Sequence, residues 1–223
     1  MKSLYAAAAI LALAAFTPAI GPSFAQAPAA PATPPRPNAL VEFPANGSAK
    51  LTVTTPAWTD GGDIPYENTQ YRGNIFPGLA WSKGPAGTKS YAVIMQDTGG
   101  VMRGAPILHW TLYNIPDSVT KLDAAMTPTG NPPGSSYGPN ARGTSQPFMG
   151  PRTPPGRKHP YHLQVFALDT TLKADPALDY DGLTGQMKGH ILADGEVVGM
   201  GSVDPTAPPP PPRPATPAPA PAQ

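Results

Sequence analysis

Asp97, His109 and His159 occupy positions where apolar runs give way to loops, and their types suit the holding of an anion. Asp97 follows Tyr91–Met95 by two residues, His109 lies within Leu108-His109-Trp110-Thr111-Leu112, and His159 immediately precedes Pro160 and the run Tyr161–Leu168. Brought to one end of a sheet, two imidazoles and a carboxylate can hold a phosphate or carboxylate group, with histidine as donor. The same set can form a facial two-histidine, one-carboxylate metal site. Each residue also has a plain structural reading, His109 as a core histidine bonded to a backbone carbonyl and Asp97 as the cap of the following turn. The other two histidines fit structural roles. His162 is out of phase with Tyr161 and so faces the other side of its strand. His190 sits near the end of a helical segment, where a cation complements the dipole.

The chain has no G-x-S-x-G elbow, P-loop, H-E-x-x-H or G-x-G-x-x-G motif. Ser135 and Ser136 lie in a Gly/Pro loop with no histidine near in sequence. With no activated nucleophile and no second acid or base in view, binding is expected rather than catalysis, with no cofactor and no metal.

The elements that must position these residues are strands. Ser90–Gln96 reads as a central strand buried on both faces, as do Leu108–Asn114 and Tyr161–Leu168. Leu51-Thr52-Val53-Thr54 alternates like a half-buried strand, and Asp194-Gly195 reads as a turn before the short strand Glu196-Val197-Val198. Leu183, Met187 and Ile191 recur every four residues and predict one helix, weakened by Gly185 and Gly189. Frequent turn residues between short strands imply an all-β sandwich or barrel. The stretch from Thr127 to Pro160 is a long loop of the kind that carries function.

Composition bounds the rest. Of 223 residues, 34 are proline, clustered at the two ends, and cysteine is absent. Disulfides, thiolate metal sites and thiol nucleophiles are therefore excluded. A formal net charge of +1 argues against a nucleic-acid partner and gives no polybasic signal for anionic lipid surfaces. Lys2, the apolar run Ala6–Phe16, the breakers Pro18, Gly21 and Pro22, and Ser23-Phe24-Ala25 together read as a secretory signal peptide, residues 1–25. The apolar run is too short for a permanent transmembrane helix, and a secreted or periplasmic protein is expected. Residues 26–39 read as a Pro/Ala-rich linker, residues 40–204 as one folded domain, and residues 205–223 as a disordered Pro-rich tail that could contact a protein partner.

Several segments, in order, resemble the phosphatidylethanolamine-binding protein family, especially its bacterial YbhB/YbcL-like branch. They are Gly73-Asn74 through Ala92, the strand ending in Asp97 followed by His109-Trp110 and Tyr113–Pro116, Gly150–Gly156 with His159-Pro160-Tyr161 and Phe166–Asp169, and Gly189–Ala193 with Gly199. The resemblance implies a Greek-key-type β-sandwich of two sheets with one or two short peripheral helices, and a small pocket for phosphate-type head groups. Asp97 matches the first carboxylate of the family's D-P-D-x-P motif, and His109 the histidine after it. Gly150, Pro154, His159 and Tyr161 match its G-x-x-P-P…H-R-Y segment. Three departures stand out. Asp97 is followed by Thr98-Gly99-Gly100-Val101 without a second carboxylate, Thr153 replaces a proline, and Pro160 replaces an arginine. An insert around Asn131–Gln146 is placed to line or cover the mouth. A binding protein for a small anion or phospholipid head group follows as the leading reading. The alternatives are a protein-interaction or protease-inhibitor role and a pocket-based hydrolase or metal-dependent enzyme.

Overall fold

Apolar runs bounded by Gly and Pro clusters become strands, and the longest of them are buried on both sides. The computed structural model describes residues 34–208. The expected signal peptide, residues 26–33 of the expected linker and residues 209–223 of the tail lie outside the described residues. In chain order the strands are β1 (Val53–Thr54), β2 (Gly62–Asp63), β3 (Leu79–Trp81), β4 (Ser90–Met102), β5 (Ala105–Pro116), β6 (Lys121–Leu122), β7 (Ser136–Tyr137), β8 (His159–Leu168) and β9 (Ile191–Gly201). Among the described residues two short α-helices accompany them, α1 (Ala39–Glu42) and α2 (Tyr180–Met187), with a 3-10 turn at Tyr66–Asn68. The strands form two sheets, one ordered β2-β9-β8-β4-β5-β7 and one ordered β1-β3-β6.

The period of two along β4 divides the core. Tyr91, Val93 and Met95 join a cluster with Val53, Leu79, Trp81 and Leu122 of the small sheet. Ala92 and Ile94 join a second cluster with Ala39, Leu183 and Met187 of the helices. Each of these five β4 side chains is fully buried, so the central-strand reading holds and the large sheet is covered on both faces. The helices start at side-chain caps, Asn38 accepting from Val41 N and Asp179 from Gly182 N.

Four readings need correction. The helix ends at Met187, and Gly189 turns the chain with φ +83°, so Ile191 opens β9 while packing against the same cluster. Asp194-Gly195 is no turn, because β9 runs through it without a break. Gly195 is needed there because a Cβ would collide with the Leu51 carbonyl oxygen. The buried Asp194 carboxylate accepts from Ala45 N and pairs with Lys50. The linker is packed before residue 40: Arg36 N donates to Gly104 O, and Ala39 N and Leu40 N donate to the side chains of Gln96 and Gln164. The tail is likewise tied down at its start, since Arg72 and Asp204 both bond Thr206. Arg72 also holds the Asp204 carboxyl down at about 2.

Gly195→Ala is expected to destabilise the protein by about 2 kcal/mol, because rigid backbone leaves no room for the methyl group. Gly185→Ala, on the open side of α2 with nothing within 4 Å of the new carbon, is expected to stabilise it by about 0.5 kcal/mol. Urea midpoints of the two variants against wild type check both signs.

Candidate functional site: a buried carboxylate and two imidazoles

Two irregularities in the pairing of β4 with β5 build the site. Met95 pairs with Trp110 but Gln96 pairs with Leu108, so His109 is an extra residue in β5. An extra residue re-aims its side chain. His109 here packs edge-on against Tyr161, with ring centroids 5.1 Å apart, at the margin of the core that also holds Trp110. The second irregularity falls between the pairs Asp97–Ile107 and Val101–Pro106 and frees Thr98, Gly99 and Gly100 from the ladder. On the other side of β4, Asp97 pairs with Tyr161 of β8, and His159 begins that strand.

The Asp97 carboxylate is the hub. Its Oδ1 accepts from Gly99 N at 2.8 Å and Gly100 N at 3.1 Å. Its Oδ2 lies 2.9 Å from His159 Nδ1, which therefore carries the proton. Asp97 thus caps the turn that follows it and also pairs with His159. Gly99 has no side chain for a steric reason, because a Cβ would sit 2.5 Å from the His159 ring. The pair Gly99-Gly100, which stands where the family's motif has further side chains, supplies the Asp97 carboxylate with two backbone donors.

His109 is fixed from the loop after β7. Its Nδ1 lies 2.9 Å from Met149 O and 3.2 Å from Gly150 O, and two carbonyls can only accept, so Nδ1 bears the proton. Burial lowers its proton affinity from the usual histidine value, opposed by those carbonyls and by Asp97. Gly150 itself is clamped: its N–H donates to Asn74 Oδ1 at 2.6 Å and its carbonyl accepts from Gln70 Nε2 at 2.6 Å. A Cβ on Gly150 would stand 2.5 Å from Asn68 O. Thr153, in place of a proline, puts its hydroxyl 2.9 Å from the Tyr161 hydroxyl. Burial pushes the Tyr161 phenol well above its ordinary value, so it stays protonated.

Asp97, His109, Gly150, His159 and Tyr161 are therefore brought together. Asp97, His109, His159 and Tyr161 are 2%, 4%, 7% and 1% exposed, which admits only a small group to the ring edges. No partner among the described residues engages Nε2 of His109 or His159. Pro154 diverges from the group: it is exposed and lines a separate recess with Tyr71, Arg152 and the start of the tail. Asn74, Gln70 and the donors of Gly99 and Gly100 had no role in the sequence reading, and only backbone geometry reveals them. Among the described residues no group of three or more His, Asp or Glu side chains is disposed to hold a metal ion. His162 bonds Glu196, Thr98 and Asn38 on the opposite face of the sheet, and His190 pairs with Asp169.

A two-sheet β-sandwich carrying a small, nearly closed carboxylate–imidazole site defines a class of ligand-binding protein. Residues 54–202 match the family model described as phosphatidylethanolamine-binding protein, and the chain belongs to that family. A UPF0098 protein of Methanothermobacter thermautotrophicus is 33% identical over 151 residues, covering 67% of this chain and 97% of the relative. A Mycobacterium tuberculosis protein named as a lipoprotein, LppC, is 30% identical over 151 residues, 67% of this chain and 69% of the relative. The crystal structure of Escherichia coli YbcL superposes with a TM-score of 0.64 at 26% identity, covering 70% of this chain and all of the other.

Gly99→Ala is expected to push the His159 ring off Asp97 while leaving the sandwich folded. In the imidazole NMR spectrum the His159 signals should move and those of His162 and His190 should stay. Unmoved His159 signals would mean that the glycine pair does not set the ring's position.

Proposed function

We propose that this protein is an exported binding protein for a small anion, of the phosphate or phospholipid head-group type. The observation that carries the reading is the pair of imidazoles, each with Nδ1–H committed to an oxygen and Nε2 left for a ligand. Tyr161 adds a protonated phenol beside them. Secreted or periplasmic residence is part of the same proposal. It rests on the signal-type N-terminus and on the name of the mycobacterial relative. Binding without turnover fits a site in which the carboxylate is already engaged by Gly99, Gly100 and His159.

The proton inventory gives this reading a sign. At neutral pH a buried His109 holds one proton, on Nδ1, so its Nε2 offers a lone pair and repels an anion. It becomes a donor only by taking up a second proton. Anion binding should therefore consume a proton, and affinity should rise as pH falls. Sulfate does not titrate between pH 8 and about 6, the range over which an ordinary histidine begins to charge. Its affinity, measured calorimetrically, should increase toward a limit of about tenfold per pH unit for each proton taken up. A pH-independent sulfate affinity would remove this mechanism.

Phosphate or phosphoethanolamine titrated into the protein should shift the imidazole signals of His109 and His159 saturably and leave those of His162 and His190 in place. The His109→Ala/His159→Ala double variant should lose this binding. Undiminished binding by the double variant would overturn the proposed function.

A further inference from the structure

We infer that a second recess, distinct from the imidazole pair, binds a single-ring aromatic carboxylate. The recess has a volume of about 190 Å³ and is walled by Phe76, Phe148, Tyr137 and Met126, with Asn74 and Arg142 also on its lining. A cavity of roughly 150 Å³ lined by apolar side chains is enough to take up benzene, so this one fits a six-membered ring with one small substituent.

The walls favour an aromatic occupant. Phe76 and Phe148 meet edge to face, 5.3 Å apart at 80°. Trp110 supports both from behind at 5.0 and 5.9 Å. Rings held in this tilted geometry offer faces and edges to a further ring. Phe148 and Tyr137 are half-buried, so the recess opens to solvent.

The charge on the lining selects an acid. Arg142 is the one charged residue there, with no Asp or Glu beside it. Its Nη2 donates to Gln70 Oε1, which orients the guanidinium. Its remaining N–H groups have no partner among the described residues, and a planar fork of that kind matches a carboxylate. Asn74 joins the recess to the first site without merging them: Nδ2 donates to Phe148 O and Oδ1 accepts from Gly150 N. None of Asp97, His109 or His159 lines it.

The test uses 4-fluorobenzoate, with the full protein, followed by ¹⁹F NMR. Saturable binding is expected. Arg142→Gln, an exposed change that leaves the core intact, should weaken it roughly tenfold, the worth of a charge-assisted pair. Phe148→Ala should weaken it similarly. The neutral 4-fluorobenzyl alcohol should bind about tenfold more weakly than the acid, and saturating inorganic phosphate should not displace the acid. Absence of saturation, full affinity in Arg142→Gln, or equal affinity for the alcohol would overturn the inference. Displacement by phosphate would also overturn it, by assigning the ring acid to the imidazole pair. The first three outcomes do not depend on whether phosphate binds at His109 and His159.

Discussion

A carboxylate taken almost wholly out of water is the constraint around which this end of the molecule is arranged. An unpaired buried charge costs several kcal/mol or changes its protonation state, and Asp97 avoids that cost through three directed donors. Two of them require the backbone of β4 to leave its ladder just after Asp97. The third requires β8 to begin with a histidine and the facing residue to have no side chain. The irregular pairing, the two glycines and the position of His159 are thus parts of one solution. Tyr161 and His109 pack on the result, and the loop through Met149 and Gly150 fixes the tautomer of His109.

The departures from the family's sequence pattern become physically ordinary in this light. A second carboxylate close to Asp97 would repel it, and here backbone N–H groups support it instead. Thr153 gives the buried Tyr161 hydroxyl a partner that proline lacks. Pro160, where the pattern has arginine, pairs with Met200 on the β9 side of β8. Arg157, three residues earlier, reaches the carbonyl of Gly99 at 3.2 Å.

Much of this was legible from residue types. The apolar run Tyr91–Met95 and the largely apolar stretch Tyr161–Leu168, which His162 and Gln164 interrupt, read as strands covered on both faces, and polar residues at their ends fall at the rim of a core. The phase of His162 against Tyr161 correctly put it on the opposite face. Other features depend on three-dimensional register. Nothing in Leu108-His109-Trp110 marks His109 as the extra residue that turns toward Tyr161. Asp194-Gly195 carries a turn signature, yet the glycine is there for close approach to Leu51 and the aspartate for Lys50 and Ala45. Pro154 sits in the right sequence motif, but the chain direction after Thr153 carries it to a neighbouring recess.

The segment around α1 bears on where the protein begins as a physical object. Ala39 and Leu40 lend their N–H groups to the side-chain oxygens of Gln96 and Gln164, which lie in the middle strands of the large sheet. Ala39 is fully buried in the cluster with Leu183 and Met187. A chain shortened to the stretch that carries the family likeness would bare that cluster and remove one donor from each of two interior glutamine oxygens, leaving Gln164 Oε1 without a partner at a cost of about 1–3 kcal/mol. Residues before the matched stretch 54–202 thus help to cover one face of the large sheet.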